Sequence, residues 1–424
     1  MHRAPGRFVR PRRAVDPGET TLIYPRSAYC RPDMEERTRA YLRGRFGDVY
    51  RRAEIDLPPR ADDREWGYIP WTAGPDTTMV RHKSTLDLGS MTSFLERKCP
   101  RHVYFSAGTY DAPGAATMDE KHWQGSDLVF DLDADHLPRV TLGEDSYAEM
   151  LSKCKDALLR LLDFLERDFG FEELTVTFSG GRGYHVHVRD AGVYELGSEE
   201  RREIVDYVRG NDLALETLVE AEPVGGRGLE NPTEKRMLPA DGGWGRRVTT
   251  RLEAFADDLI ERGEDDAVAT LTEFDGVGER SARAIYNVVA DNTTAVKRGN
   301  VDVHPAFLTV ARRYIDETVA AEQAPIDEPV TTDTNRLIRL PGSLHGGSGL
   351  EVQRLDRAAL DDFDPLVDAV PETFVGHDIT VELPTEHTVE LRGESLTVGP
   401  GVSTVPEYAG VFMMARGTAE KATE

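Results

Sequence analysis

The feature that most constrains this fold is an apolar strand running directly into aspartates, LVFDLDADH at residues 128–136. Side chains two apart on a strand point to the same face, so Asp131 and Asp133 present two carboxylates side by side. Two close carboxylates cannot both stay ionised unless a proton or a cation intervenes. The stretch therefore favours a divalent metal site at the end of a buried strand.

These aspartates have two other interpretations. An EF-hand loop also opens D-x-D-x-D, but it needs Gly at its sixth position and Glu at its twelfth, where this chain has His136 and Leu142. That alternative fails. A strand that ends in solvated aspartates at a turn remains the plain structural alternative, and the apolar run before the pair weakens it.

Composition limits the classes of protein open to this chain. Its 424 residues carry a net charge of -25 with most of the cations arginine rather than lysine, typical of a protein from a very salty cytoplasm. An acidic protein that simply avoids nucleic acid is the alternative, so any DNA-binding surface must be a local basic patch. With no apolar run of about 18 residues, we expect no membrane span and a soluble, cytoplasmic protein. Isolated Cys30, Cys99 and Cys154 indicate a reducing compartment.

Hydrophobic periodicity divides the chain into segments and predicts an α/β (α+β) fold, with mixed β-sheets flanked by helices and an inserted all-helical subdomain. The basic start has no helical or strand period; it is either a disordered arm or lies before a true start at Met34. A long helix is predicted from about Tyr147 to Phe169. The predicted segments are an extension over 1–33, the first part of the core over 34–197, the helical insertion over 198–322, and the second part of the core with a C-terminal helix over 323–424.

A second stretch, TVTFSGGRGYHVHV at residues 175–188, predicts strand, glycine-rich turn and strand. Glycines let backbone N–H groups approach a phosphate, and Ser179, Arg182 and His185 add donors at that point. A hairpin turn with an incidental arginine is the alternative. His187 shares a strand face with His185, and we expect it to be a packed or supporting residue.

A third stretch, residues 326–349, again places cations beside a glycine-rich turn. Arg336 and Arg339 bracket a short apolar strand that ends in Pro-Gly, and His345 follows. Each of the three stretches is weak alone. Together, an acidic metal site and two phosphate-like turns are typical of a nucleotide-handling protein.

LVFDLDAD, SGGRGYH and RLIRLPGSLHG, in this order with a helical stretch before the third, resemble the small catalytic subunit of the archaeal and eukaryotic-type DNA primase. The resemblance runs from about Met34 to the C-terminus, and the acidity indicates the haloarchaeal branch. It implies a primase-type catalytic core in which two Mg²⁺ or Mn²⁺ ions are held by Asp131, Asp133 and Asp327, with Asp333 as the alternative third ligand. The implied triphosphate ligands are Ser179, Arg182, His185, Arg339 and His345.

The resemblance also implies partners: a single-stranded DNA template, NTPs or dNTPs, and a large regulatory subunit, with which the chain forms a heterodimer and which carries an iron–sulfur cluster. The implied activity is synthesis of short RNA, and in some cases DNA, primers de novo. A primase-like repair polymerase and a catalytically inactive DNA-binding scaffold are the rival functions.

The chain departs from the family in two places. Family members commonly carry a zinc knuckle after the aspartate pair, but between Asp135 and Phe169 this chain offers only His136 and Cys154. Tetrahedral zinc needs four ligands, so no structural zinc is predicted. The family often has a lysine where this chain has Gly347, and we expect Arg336 or Arg339 to compensate.

Two further stretches carry weaker signals. REWGY, Arg64 to Tyr68, resembles the family's REF motif near the nucleotide site, and Arg81 is a further candidate. FDGVGERSARAI at residues 274–285 looks like a helix-hairpin-helix element whose turn contacts a DNA phosphate. A plain helical hairpin with a glycine turn is the alternative.

Overall fold

The structure is a computed structural model that describes residues 34–72, 79–224 and 233–423. The predicted basic extension over residues 1–33 lies outside the described residues. All structural statements below refer to the described ranges.

Helices and strands alternate along the described chain, and none of the helices is long and apolar enough to cross a membrane. The helices are α1 (Glu36–Tyr50), α2 (Thr85–Leu88), α3 (Met91–Lys98), α4 (Met118–Lys121), α5 (Tyr147–Asp163), α6 (Ser198–Arg209), α7 (Leu215–Leu218), α8 (Gly243–Arg262), α9 (Glu264–Thr272), α10 (Glu279–Asp291), α11 (Thr293–Lys297), α12 (Phe307–Glu322), α13 (Glu328–Thr332), α14 (Pro365–Asp368) and α15 (Glu407–Arg416). The strands are β1 (Arg64–Ile69), β2 (Val80–Lys83), β3 (His102–Tyr110), β4 (Trp123–Ser126), β5 (Leu128–Asp133), β6 (Leu174–Phe178), β7 (Gly183–Val188), β8 (Glu220–Val224), β9 (Thr233–Met237), β10 (Leu337–Arg339), β11 (Gln353–Leu355), β12 (Asp378–Leu383), β13 (His387–Leu391), β14 (Glu394–Val398), β15 (Gly401–Pro406) and β16 (Glu420–Lys421).

Two antiparallel sheets carry the three stretches singled out above. The first has the order β10-β3-β1-β2 with β4 paired to β3, and the second has the order β11-β6-β7-β5. Strand β10 follows the insertion in the chain and pairs with β3 by placing Leu337 opposite Ser106. Both parts of the chain therefore build each of the two sheets, and the observed fold is the α+β form of the prediction.

Helix α5 shows how the sequence fixes the packing against the second sheet. A capping box, in which Ser146 and Glu149 each bond the other's backbone N–H, begins the helix. Its apolar stripe, including Leu151 and Leu158, is buried in the main core. Burying one leucine contributes about 1.5–3 kcal/mol, and Leu158→Ala is expected to cost about 2–5 kcal/mol. The helix continues into a π-helical turn at Phe164–Asp168, which confirms the long helix predicted there.

The insertion has its own apolar core, built mainly from α8, α9, α10 and α12 and extending from Leu215 to Ile315. It is not purely helical, because β8 and β9 form an antiparallel hairpin. The described side chains of this hairpin are largely exposed, as at Glu222 and Lys235. A strand that is solvated on both faces lacks the apolar alternation by which strands are recognised, so the sequence pattern did not indicate it.

Candidate active site

Strand pairing brings the aspartates of the first stretch against the turn of the second. On β5 and β7, Asp131 lies opposite His185 and Asp133 lies opposite Gly183. A Cβ atom on Gly183 would lie 1.8 Å from the carbonyl oxygen of Leu132. Only glycine permits this approach, and the end of β5 therefore lies directly against the turn.

Asp327 lies beside the aspartate pair although it follows the insertion. Its backbone N–H donates to the carbonyl oxygen of Asp131 at 2.9 Å, and its charge raises the pKa of Asp131. Asp333 lies elsewhere: its carboxylate accepts the N–H of Asn335 at 2.8 Å, and its charge acts on Arg201. The geometry thus favours Asp327 over Asp333 as the neighbour of the pair.

The surroundings of Asp131 carry an excess of negative charge, which its raised pKa shows. Its pKa is raised to about 7, first by burial and then by the neighbouring Asp133 and Asp327, and Arg339 opposes these effects only in part. Oxygen donors with uncompensated charge suit Mg²⁺ or Mn²⁺, so these residues fit such an ion. No three His, Cys, Asp or Glu side chains in the described ranges already converge closely enough to hold a metal ion. The three carboxylates are neighbours and do not yet form a closed ligand shell.

The third aspartate of the first stretch is neutralised within the chain. Asp135 forms an ion pair with Arg182, and the backbone N–H of Ala134 donates to the carbonyl oxygen of Arg182 at 3.2 Å. In the same turn Ser179 is buried and its hydroxyl accepts the N–H of Gly181 at 3.4 Å. The predicted phosphate ligands of this turn therefore lie on a backbone that is attached to the end of β5.

His185 is buried beside Asp131, with Nε2 3.5 Å from the Asp131 carboxylate. Burial and the charge of Arg339 hold the pKa of His185 well below its usual range, so the imidazole is neutral. Its Nδ1 atom is buried and has no hydrogen-bond partner in the described structure. His187, as expected, is packed: its ring stacks on Phe105 with centroids 5.8 Å apart.

The turn of the third stretch packs against the turn of the second at His345. Gly180 has a φ of +73°, and a Cβ there would lie 2.7 Å from the Cβ of His345. A Cβ on Gly181 would lie 3.1 Å from Nε2 of the same histidine. Burial and the charge of Arg339 hold the pKa of His345 well below its usual range. The two glycine-rich turns thus form one surface.

Arg339 lies on β10, the edge strand of the first sheet, and its charge acts on groups of this surface. Strand β10 pairs it with Tyr104, whose ring centroid is 5.8 Å from the guanidinium carbon. Its Nε atom is buried without a hydrogen-bond partner in the described structure. Its charge lowers the pKa of Asp131, of His185 and of His345. A cation with an unused donor at this point suits a phosphate oxygen.

The REWGY stretch is engaged in internal contacts. Arg64 donates to the Asp127 carboxylate at 2.9 Å. Glu65 is buried and pairs with Lys121 and with Arg81, the latter at 3.1 Å. These side chains neutralise buried charges around β1. A contact of Arg64 or Arg81 with nucleotide stays a prediction.

The predicted hairpin at residues 274–285 is formed by α9 and α10. Gly276 adopts a φ of +77° in the turn, and Ala282 and Ile285 are buried. A plain helical hairpin and a DNA-contacting hairpin share this geometry. Contact with a DNA phosphate therefore also stays a prediction.

Two residues that contact the second turn carried no signal in the sequence. The Tyr147 hydroxyl donates to the carbonyl oxygen of Gly181 at 2.6 Å, and the Ser348 hydroxyl donates to the carbonyl oxygen of Gly180. The capping box at Ser146 marks the start of the helix and so places Tyr147 at its first position. It does not indicate what the Tyr147 side chain contacts.

Comparison with known proteins agrees with the resemblance seen in the three stretches. A family model described as DNA primase small subunit matches residues 130–355. The DNA primase small subunit PriS of Haloarcula marismortui is 63% identical over 392 residues, which are 92% of this chain and 100% of the relative. PriS of Natronomonas pharaonis is 59% identical over 395 residues, 92% of this chain and 100% of the relative.

A more distant relative aligns over nearly the same length. PriS of Methanococcoides burtonii is 40% identical over 398 residues, which are 91% of this chain and 99% of the relative. The resemblance to this family is confirmed, including the expected similarity to its haloarchaeal members. The chain belongs to the DNA primase small subunit family.

Proposed function

We propose that this chain is the catalytic subunit of a DNA primase, which synthesises short RNA primers, and in some cases DNA, de novo on a single-stranded DNA template. The observation that carries the proposal is the meeting of three carboxylates with two glycine-rich turns. Asp131, Asp133 and Asp327 are neighbours, and the turns at 179–183 and around His345 lie against them. A carboxylate site beside a phosphate-binding surface is what nucleotidyl transfer requires.

Asp131, Asp133 and Asp327 would hold two Mg²⁺ or Mn²⁺ ions. When bound, such ions supply a lowered pKa for the attacking 3′-hydroxyl and charge stabilisation for the leaving pyrophosphate. The oxygen donors and the raised pKa of Asp131 support this assignment. The carboxylates would fix the position of the cations. The cations in turn would balance the negative charge of the triphosphate.

Side chains in and beside the two turns would contact the triphosphate of the nucleotide. Ser179 and Arg182 offer a hydroxyl and a guanidinium, and Arg339 offers a buried Nε–H that bonds to no other described group. His185 and His345 are neutral, because their pKa values lie well below the usual range. A neutral imidazole donates one N–H to a phosphate oxygen without adding charge to the site.

The partners and location follow from this activity. The chain would act in the cytoplasm on single-stranded DNA with NTPs or dNTPs, and it would form a heterodimer with a large regulatory subunit. The net charge of -25 opposes binding of DNA to most of the surface. Template contact is therefore confined to local cationic positions around the two turns.

No structural zinc is part of the proposal. In the segment where the family commonly carries a zinc knuckle, the Nζ atom of Lys153 lies 2.7 Å from the Asp145 carboxylate and 2.9 Å from the carbonyl oxygen of Arg139. The N–H of Thr141 also donates to Asp145 at 2.8 Å. These bonds show that protein groups hold the loop, which supports the expectation that the fold does not depend on zinc.

The test is primer synthesis by the purified protein in molar KCl, with an unprimed single-stranded template, labelled nucleotides and Mn²⁺ or Mg²⁺. Wild type and the Asp333→Asn control are expected to make products, and Asp327→Asn none. Extension of supplied primers without de novo products would favour a repair polymerase. Binding of single-stranded DNA without synthesis, with or without the large subunit, would favour a scaffold.

A further inference from the structure

The turn between β6 and β7 is held from outside through its carbonyl groups. Three consecutive carbonyl oxygens of this turn, on residues 180 to 182, accept hydrogen bonds from other parts of the chain. The donors are, in order, the Ser348 hydroxyl, the Tyr147 hydroxyl at 2.6 Å and the Ala134 N–H at 3.2 Å. The turn is thus clamped from three separate segments.

The clamps fix the direction of the N–H groups as well. In a trans peptide the C=O of one residue and the N–H of the next point to opposite sides. The N–H groups of Gly181 and Arg182 therefore point away from the Ser348 and Tyr147 hydroxyls. The Gly181 N–H meets the Ser179 hydroxyl at 3.4 Å, on the side of the proposed phosphate ligand. Where successive backbone N–H groups of a turn converge, they form a concavity that binds anions.

The clamps matter because the turn is rich in glycine. Gly180 and Gly181 have no Cβ, so their peptides reorient at little cost, and Gly180 already adopts a φ of +73°. A flipped peptide would turn a carbonyl oxygen toward the triphosphate and repel it. Hydrogen bonds to the carbonyl oxygens remove this freedom before the nucleotide arrives.

We propose that Tyr147 and Ser348 are positioning residues of the nucleotide site, whose hydroxyls orient the N–H groups of the turn toward the triphosphate. The inference rests on the proposed function, since it assumes that this turn binds phosphates. Neither residue touches the reacting atoms. Their effect is on affinity for the triphosphate, by preorganisation.

Both hydroxyls are themselves held in place. The Tyr147 ring packs edge-on against Phe412 with centroids 5.4 Å apart, and the guanidinium of Arg416 lies 4.5 Å from its centroid. Ser348 is buried, and its hydroxyl lies 3.2 Å from Nδ1 of His345. Ser348 therefore links the second turn to the histidine of the third stretch, and Tyr147 links it to the C-terminal helix α15.

The experiment compares Tyr147→Phe and Ser348→Ala with wild type, using Tyr184→Phe as the matched control. The Tyr184 hydroxyl is also buried near this turn but has no hydrogen-bond partner in the described structure. Its removal therefore breaks no hydrogen bond to the turn. The readouts are KM and kcat for the nucleotide, calorimetric binding of inorganic tripolyphosphate, and the thermal midpoint. Tripolyphosphate reports the turn without requiring primer synthesis.

We expect Tyr147→Phe and Ser348→Ala each to raise KM and the tripolyphosphate Kd together by about fivefold to tenfold, the loss of one hydrogen bond, with kcat nearly unchanged. Tyr184→Phe should leave both constants at the wild-type value. A fall in kcat or in the thermal midpoint with an unchanged tripolyphosphate Kd would overturn the positioning role. A wild type that binds tripolyphosphate with this dependence but makes no primers would overturn the proposed function alone.

Discussion

Two aspartate–histidine pairs lie at opposite ends of the paired strands β5 and β7, one with Asp127 immediately before β5 and one with Asp131 near its end, and they have different consequences. In one, Nδ1 of His187 lies 3.4 Å from the Asp127 carboxylate. In the other, Nε2 of His185 lies 3.5 Å from the Asp131 carboxylate. The residue types and distances are nearly the same. Of the Asp127 side chain 2% is exposed and of the Asp131 side chain 23%, so only the second pair opens to solvent.

The two pairs differ most in the charges around them. Burial raises the pKa of Asp127, but the hydrogen bond from His187 and the charges of Arg64 and Arg189 outweigh it, and the pKa lies well below its usual range. Arg64 and Arg189 contact this carboxylate at 2.9 and 3.0 Å. Asp131, by contrast, has its pKa raised to about 7 by burial and by other carboxylates.

The first pair is complete within the chain, whereas the second leaves negative charge that the protein does not balance. A carboxylate surrounded by arginines stabilises the fold, and one surrounded by carboxylates is suited to a cation from outside. The charges of the neighbouring side chains, not the aspartate itself, therefore distinguish a structural position from a candidate catalytic one.

Asp131→Asn is expected to show the largest effect on activity. Primer synthesis should fall by at least about a hundredfold, the scale for losing an electrostatic group in a preorganised site. Thermal unfolding of the metal-free protein should shift upward or stay unchanged, because the substitution removes repulsion with Asp133. Product gels and a thermal scan measure the two outcomes. A clearly less stable variant would mean that Asp131 acts structurally, as Asp127 does, and would break the comparison.

Asp127→Ala is expected to show the largest effect on stability. It leaves the buried Arg64 and the partly exposed Arg189 without their carboxylate, and breaking the buried Arg64 pair in this way costs about 3–5 kcal/mol. Denaturant unfolding at fixed high salt measures the change in the free energy of unfolding. A loss below about 1 kcal/mol, the range of an exposed pair, would contradict the structural role of this aspartate.

The pH dependence should also separate the two aspartates. The pKa of Asp131 is about 7 in the folded protein and 3.8 as its ordinary value, so the folded state binds more protons between these limits. The contribution of Asp131 to the free energy of unfolding of metal-free protein therefore falls as pH rises from about 4 to about 7. Asp127 has the opposite sign: its pKa is lowered on folding, so its contribution is present above pH 3.8 and is lost in stronger acid.

The affinity for Mn²⁺ should depend on pH over the same range as the stability of the metal-free protein. A protonated Asp131 must lose its proton to bind Mn²⁺, so affinity should rise with pH up to about 7 and then level off. Titration calorimetry with Mn²⁺ from about pH 5.5 to 8 measures this. Asp131→Asn should remove the slope together with the tight binding. A wild-type affinity independent of pH over this range would contradict the raised pKa.

Much of the site could be predicted from the sequence because it lies in short continuous stretches. The aspartates of β5 and the glycine-rich turn before β7 show period-two alternation and turn residues, which local chemistry fixes. The placement of Asp327 rested on the family resemblance, and the backbone bond to Asp131 gives it a geometric reason.

The rest depends on contacts between residues distant in the chain. Tyr147 is separated by 34 positions from the carbonyl it holds, and Ser348 by 168. Arg64, which neutralises Asp127, is 63 positions away. Periodicity carries no information about such pairs. For the same reason nothing in LVFDLDADH alone distinguished which aspartates the chain would neutralise itself, and Asp135 proved to be paired with Arg182.

The two histidines provide the smallest and sharpest test of the comparison. His187→Gln should lower the free energy of unfolding by about 1 kcal/mol, because Asp127 keeps both arginines and loses only one hydrogen bond. Primer synthesis should persist in this variant. His185→Gln should leave the free energy of unfolding nearly unchanged and weaken primer synthesis, since the imidazole beside Asp131 faces the proposed substrate site. Denaturant unfolding and product gels on both variants measure the contrast. If both substitutions changed only the free energy of unfolding, or both changed only primer synthesis, the comparison would be wrong. The two histidines would then not have separate structural and catalytic roles.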